Sequence, residues 1–207
     1  MQKEIAKTLL RIKAVKLSPE APFTWASGWK SPIYCDNRTI LSYPAERKMI
    51  GKSFARVIHE KYPQVDLIAG VATGAIAWGV LAAVELDKPA IYVRSSAKAH
   101  GLTNHVEGQF TKGQKVVVVE DLISTGGSSL AAVEALQKAG LEVVGMVAIF
   151  TYGFPKAEEN FKNANVSLNI LSNYNALIEE AAAENYISQE QIETLKQWRE
   201  APDKWRQ

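Results

Sequence analysis

A chain of 207 residues can build one sizeable core but is short for two full domains. Its 47% hydrophobic and 22% charged residues exclude a disordered or membrane-embedded chain. A formal charge of +2 is too small for general nucleic-acid binding, so any anion site must be local; the single cysteine, Cys35, excludes an internal disulfide framework.

The N-terminal stretch MQKEIAKTLLRIKAV sets Ile5, Leu9, Leu10 and Ile12 at helical spacing, which predicts an amphipathic helix from about Lys3 to Ala14. It lacks the apolar core of a signal peptide, and no stretch has the length and lack of charge to span a bilayer. With the lone cysteine, this leads to the expectation of a cytoplasmic protein. From Ser18 to Pro44, SPEAPFTWASGWKSPIYCDNRTILSYP is too rich in turn formers for a helix and reads as loops with short strands. A second amphipathic helix is expected from Ala45 to Lys61, with Met49, Ile50, Phe54, Val57 and Ile58 inward.

From there the rhythm changes. DLIAGV reads as a buried strand, ATGA as a tight loop and IAWGVLAAVEL as a helix. PAIYVR and KVVVVE are further strands, the second followed by a Gly-rich loop and the helix SLAAVEALQKAG, which stops at Gly140. EVVGMVAIF and VSLNIL complete the strands, and tail helices are expected from about Tyr174 and from Ser188, where Ser188 and Gln191 form a capping box. Apolar strands alternating with helices predict an α/β fold, a Rossmann-like parallel sheet covered on both faces. Between them lies a long polar stretch, SSAKAHGLTNHVEGQFTKG, Ser95 to Gly113, of the kind used as a functional lid.

The chemistry concentrates in VVVVEDLISTGGSS, Val116 to Ser129. An acid pair, Glu120 and Asp121, closing an apolar strand has no packing purpose. The residues after it, Ser124, Thr125, Gly126, Gly127 and Ser128, offer backbone N–H groups and a helix N-terminus, which together make a phosphate cradle. The lysine of a nucleotide P-loop and the spacing of a dinucleotide fingerprint are both missing. Carboxylates suit sugar hydroxyls, a bound Mg²⁺ or positive charge developing on a sugar carbon. A phosphate cradle beside an acid pair therefore fits a ribose 5-phosphate with its 2′ and 3′ hydroxyls.

That stretch closely resembles the 5-phosphoribosyl-1-pyrophosphate (PRPP) motif of type I phosphoribosyltransferases. FTWASGWKSPIYCDNR (Phe23 to Arg38) and YVRSSAKAHG (Tyr92 to Gly101) are similar to segments of the orotate-specific family. The resemblance implies a single phosphoribosyltransferase domain over residues 1–207, with a small N-terminal hood in about 1–45 and a lid in about 95–113. It implies transfer of the phosphoribosyl group from PRPP to orotate in pyrimidine biosynthesis, with Mg²⁺ delivered on PRPP and no separate metal site. PRPP would be held by Arg94, Lys98, His100, Glu120, Asp121, Leu122, Ile123 and Ser124 to Ser128, with Lys98 and Asp121 catalytic and Ser124 also touching orotate. Arg94 would reach the neighbouring subunit of a homodimer; neither nucleic acid nor membrane is an expected partner.

The chain departs from the family pattern in three places. Ser95 and Ser96 stand where a second lid lysine is common. VATGAI, Val71 to Ile76, matches the family's pyrophosphate loop without its lysine, and on its residues alone reads equally well as a plain βα turn. Tyr152 and Ala26 replace the arginine and lysine that many members set against orotate, leaving Lys30 or Arg38 as candidates for its carboxylate and Tyr34 as a stacking ring. A purine-specific transferase and a PRPP-sensing nucleic-acid-binding regulator share the PRPP motif. The aromatic segment and the modest charge argue against both.

Overall fold

The computed structural model describes residues 1–94 and 105–206. The first amphipathic stretch forms α1 (Gln2–Arg11), which buries Ile5, Leu9 and Leu10. The turn-rich segment supplies β1 (Val15–Leu17), β2 (Phe23–Thr24), β3 (Lys30–Ser31) and β4 (Ile33–Cys35), with β1 antiparallel to β4 and β2 to β3. A 3-10 turn over Asn37–Ser42 leads into α2 (Pro44–Lys61), whose proline sits in the first turn, where its missing N–H leaves no helical bond unmade.

The alternating half follows as β5 (Leu67–Val71), α3 (Ile76–Leu86), β6 (Ala90–Val93), β7 (Val106–Glu107), β8 (Lys115–Ile123), α4 (Gly127–Lys138), β9 (Glu142–Thr151), α5 (Pro155–Asn163) and β10 (Leu168–Asn173). Then come α6 (Tyr174–Ala183) and α7 (Gln189–Glu200). The sheet runs β10-β9-β8-β5-β6-β7, parallel except for β7, which is antiparallel to β6. Numbered along the chain, the parallel strands lie in the doubly wound order 2-1-3-4-5, with the reversal between β5 and β8. Every residue of β5 is buried, as a sheet covered on both faces requires.

Three local features go beyond the expected elements. First, α1 packs on α6 and β10 as well as on β1, and Ser172 Oγ donates to the Gln2 carbonyl at 2.9 Å. Its apolar face covers the end of the sheet, a contact that proximity in sequence does not reveal. Second, β8 does not stop at Glu120. It runs through both acids to Ile123, because Leu122 and Ile123 find partners in Phe150 and Thr151 of β9. Third, Val106 and Glu107, inside the long polar stretch, pair with β6 as a two-residue edge strand. Residues 95–104 lie outside the described residues.

In the tail, Ser188 and Gln191 form the expected box: Gln191 N–H donates to Ser188 Oγ at 3.3 Å, and Ser188 N–H to Gln191 Oε1 at 2.9 Å. Further along α7, the fully buried Trp198 packs its ring among Trp25, Tyr152, Phe154 and Tyr174. That cluster ties the tail to the hood and to the chain leaving β9.

Candidate active site

Where the winding of a parallel sheet reverses, the loops beyond adjacent strands part and leave a crevice. Here the loops beyond β5 and β8 enclose a cleft of about 350 Å³, lined by Val71 to Gly74 on one side and Glu120 to Leu122 on the other. Cys35, Asp36, Arg38 and Ser128 complete its wall. Glu120 points inward with 6% of its surface exposed: Ser129 Oγ donates to its Oε2 and the Asp121 N–H to its Oε1, both at 2.9 Å. Asp121 is half-buried, and Asn37 Nδ2 donates to its carbonyl at 2.6 Å. Its carboxylate lies against Gly74 so closely that any Cβ there would overlap Oδ2.

Burial pushes the Glu120 carboxyl up to about 8, and the neighbouring Asp121 charge pushes in the same direction. Asp121 is also raised by burial, while hydrogen bonding from Glu120 and the charge of Arg38 pull it back. Two such close carboxylates do not both ionise readily, so Asp121 carries the charge and Glu120 holds the proton near neutrality. A carboxyl raised in the folded state contributes stability below its unfolded value near 4.5, and that contribution is lost as pH rises towards 8. Thermal melts without substrate should therefore show stability falling between pH 5 and 8, by up to about 1.4 kcal/mol per pH unit. Glu120→Gln should flatten that slope; an unchanged slope would place the titrating group elsewhere.

The stretch expected to form a phosphate cradle is built locally. Ser124 and Thr125 turn the chain, and Gly126 enters α4 at φ +81°, a region that favours glycine, with Phe161 so near that a Cβ would come within 2.7 Å of the ring. Asn160 Nδ2 holds the Thr125 carbonyl at 2.9 Å. Among the described residues no side chain caps α4, which leaves its first-turn N–H groups without a side-chain partner, as an anion site requires. The pairing of Leu122 and Ile123 with β9 makes them the rigid base of the cradle.

A second cavity of about 430 Å³ adjoins the first through the shared walls Cys35 and Leu122. Thr24, Trp25, Ala26, Tyr34, Ser124 and Tyr152 complete its lining. The Trp25 and Tyr152 rings lie 5.0 Å apart at 34°, a rigid aromatic wall suited to a planar heterocycle. Lys30 Nζ donates to Thr24 Oγ1 at 2.9 Å, across the Thr24–Lys30 pair of the β2–β3 ribbon, which brings its charge to the rim of this cavity. Arg38 lines the acid cleft and does not line this cavity.

Arg94 follows β6, beside the loop after β5, where the Ala72 N–H donates to Val93 O at 2.8 Å; its guanidinium lies 5.9 Å from the Tyr92 ring centre. Lys98 and His100, with Ser95 and Ser96, lie outside the described residues. Two residues of the site, Ser129 and Asn37, escaped sequence reasoning, as did the contact of Gly74 with Asp121. Ser129 closes the quoted motif but reads as an ordinary helix residue until its hydroxyl is seen on Glu120. The Asn37 and Gly74 roles depend on partners far along the chain and leave no local signal.

The fold and cleft define a phosphoribosyltransferase, and residues 37–185 match the family model of the phosphoribosyl transferase domain. Orotate phosphoribosyltransferase of Cytophaga hutchinsonii is 57% identical over 204 residues, covering 99% of this chain and 98% of that one. The enzyme of the same name from Bacteroides thetaiotaomicron is 58% identical over 205 residues, covering 99% and 97%. The crystal structure of orotate phosphoribosyltransferase from Aeropyrum pernix superposes with a TM-score of 0.77 at 30% identity, covering 86% of this chain and 98% of that one. The chain belongs to the orotate phosphoribosyltransferase family.

Proposed function

We propose that the protein transfers the 5-phosphoribosyl group of PRPP to a ring nitrogen of orotate, giving orotidine 5′-monophosphate and pyrophosphate, in pyrimidine biosynthesis. The observation that carries this reading is the pair of adjoining cavities that meet at Cys35 and Leu122. One combines an acid pair with an uncapped helix N-terminus, and the other is walled by aromatic rings. A sugar phosphate in the first would present carbon 1 to a planar base in the second.

In this reading the N–H groups of Ser124 to Ser128 grip the 5-phosphate, and Glu120 and Asp121 accept the ribose hydroxyls. As the bond to pyrophosphate lengthens, positive charge grows on the ring, and Asp121, already fixed by the Gly74 contact and the Asn37 bond, stabilises it without reorganising. Mg²⁺ enters as part of the substrate, on the diphosphate. Arg94, Lys98 and His100 meet the leaving group, Lys98 as a catalytic cation, with Arg94 serving the neighbouring site of a homodimer. Ser124 touches orotate, and Lys30 is better placed than Arg38 to meet its carboxylate, through Thr24. The setting for this chemistry is the cytoplasm.

Incubation with PRPP, Mg²⁺ and one base at a time, followed by ultraviolet absorbance, tests the assignment. Orotate alone among orotate, adenine, guanine and uracil should be consumed. Turnover confined to a purine would overturn it.

A further inference from the structure

We infer that Arg38 binds the diphosphate of PRPP, supplying within the subunit the charge that the loop after β5 lacks; this rests on the function proposed above. That loop, Ala72, Thr73 and Gly74, carries no ionisable side chain, and the cleft behind it already contains Asp36, Glu120 and Asp121. A multiply charged diphosphate would meet net repulsion there. Among the described residues lining the cleft, Arg38 is the one cation.

Its guanidinium is held in place before substrate arrives. The Asp36 carboxylate caps the 3-10 turn by accepting the Arg38 N–H at 3.2 Å, then takes Nε at 2.7 Å and Nη2 at 3.2 Å. Asp36 thus engages one edge of a planar fork that has five donors, and Nη1 remains on the other edge for an oxygen of the diphosphate. A side chain fixed in this way loses little freedom on binding. Two cations of this segment therefore lie beside different cavities: Lys30, bonded to Thr24 in the wall of the aromatic cavity, and Arg38 in the acid cleft.

The test uses Arg38→Met and Arg38→Lys in the full chain, with circular dichroism as the folding control, since this side chain is 61% exposed and supports no core. Calorimetry with Mg²⁺–pyrophosphate reads the site without turnover, and initial rates give the two KM values separately. Arg38→Met should weaken pyrophosphate binding and raise the KM for PRPP by about 10–100-fold, the effect of a lost charged hydrogen bond. The KM for orotate should stay near its original value, and Arg38→Lys should recover part of the loss. Unchanged pyrophosphate affinity would overturn the inference, as would a rise confined to the KM for orotate. Pyrophosphate binding that depends on Arg38 in a protein inactive on orotate would uphold this inference while refuting the base assignment.

Discussion

Converting Glu120 and Asp121 together to their amides, Glu120→Gln with Asp121→Asn, is expected to lower kcat by at least about 10²–10³-fold, the scale set by loss of a preorganised electrostatic contact. The amides keep nearly the same shape: the single amide oxygen at position 120 can accept the backbone N–H of position 121 while its NH2 group donates to Ser129 Oγ. What disappears is negative charge beside the sugar ring, which matters most when positive charge develops there. Stability should move the other way. The wild-type pair carries a charge that burial opposes, so at neutral pH the double variant should melt at the same temperature or higher. Steady-state kinetics and a thermal melt on one preparation make the comparison. A well-folded double variant with undiminished turnover would remove the acid pair from the mechanism.

The largest loss of stability is expected behind the aromatic cavity. Trp198→Ala should destabilise the protein by about 3–5 kcal/mol, the range for emptying a buried tryptophan site. Trp198 is fully buried, with ring contacts to Trp25, Tyr152, Phe154 and Tyr174 at centroid distances of 5.4–5.8 Å. Trp25 and Tyr152 also wall the aromatic cavity. The variant should therefore raise the KM for orotate more than that for PRPP, because the acid cleft has no wall in this cluster. Urea unfolding and paired KM measurements check both parts. A loss below about 1 kcal/mol would mean the tail helix is not anchored through this ring.

These two variants probe structure of different origin. The PRPP motif was legible because a phosphate cradle is a local object: a strand end, a turn of small residues and a helix N-terminus are contiguous in any chain that builds one. Helix α7 was legible for a similar reason, since the Ser188–Gln191 box is written within one turn. The end of β8 was not. KVVVVE has the apolar pattern of a strand and DLI does not, yet the strand continues because β9 lies alongside with backbone groups to pair. Lys30 and Arg38 looked equivalent because only eight positions separate them, yet they lie beside different cavities because a strand, β4, and the start of the 3-10 turn lie between them.

By itself, the sequence determined the class of fold, the place of the acid pair on a parallel strand and the chemistry of the cradle, since apolar periodicity, turn residues and helix ends act over a few neighbouring residues. Tertiary structure alone decided how that site is held and shared out. Asn37 reaches the Asp121 carbonyl across 84 positions, Gly74 clears space for a carboxylate from another strand, and α1 crosses to cover β10. Such contacts join segments far apart in the chain, and they come into being when the sheet assembles and its winding reverses between β5 and β8.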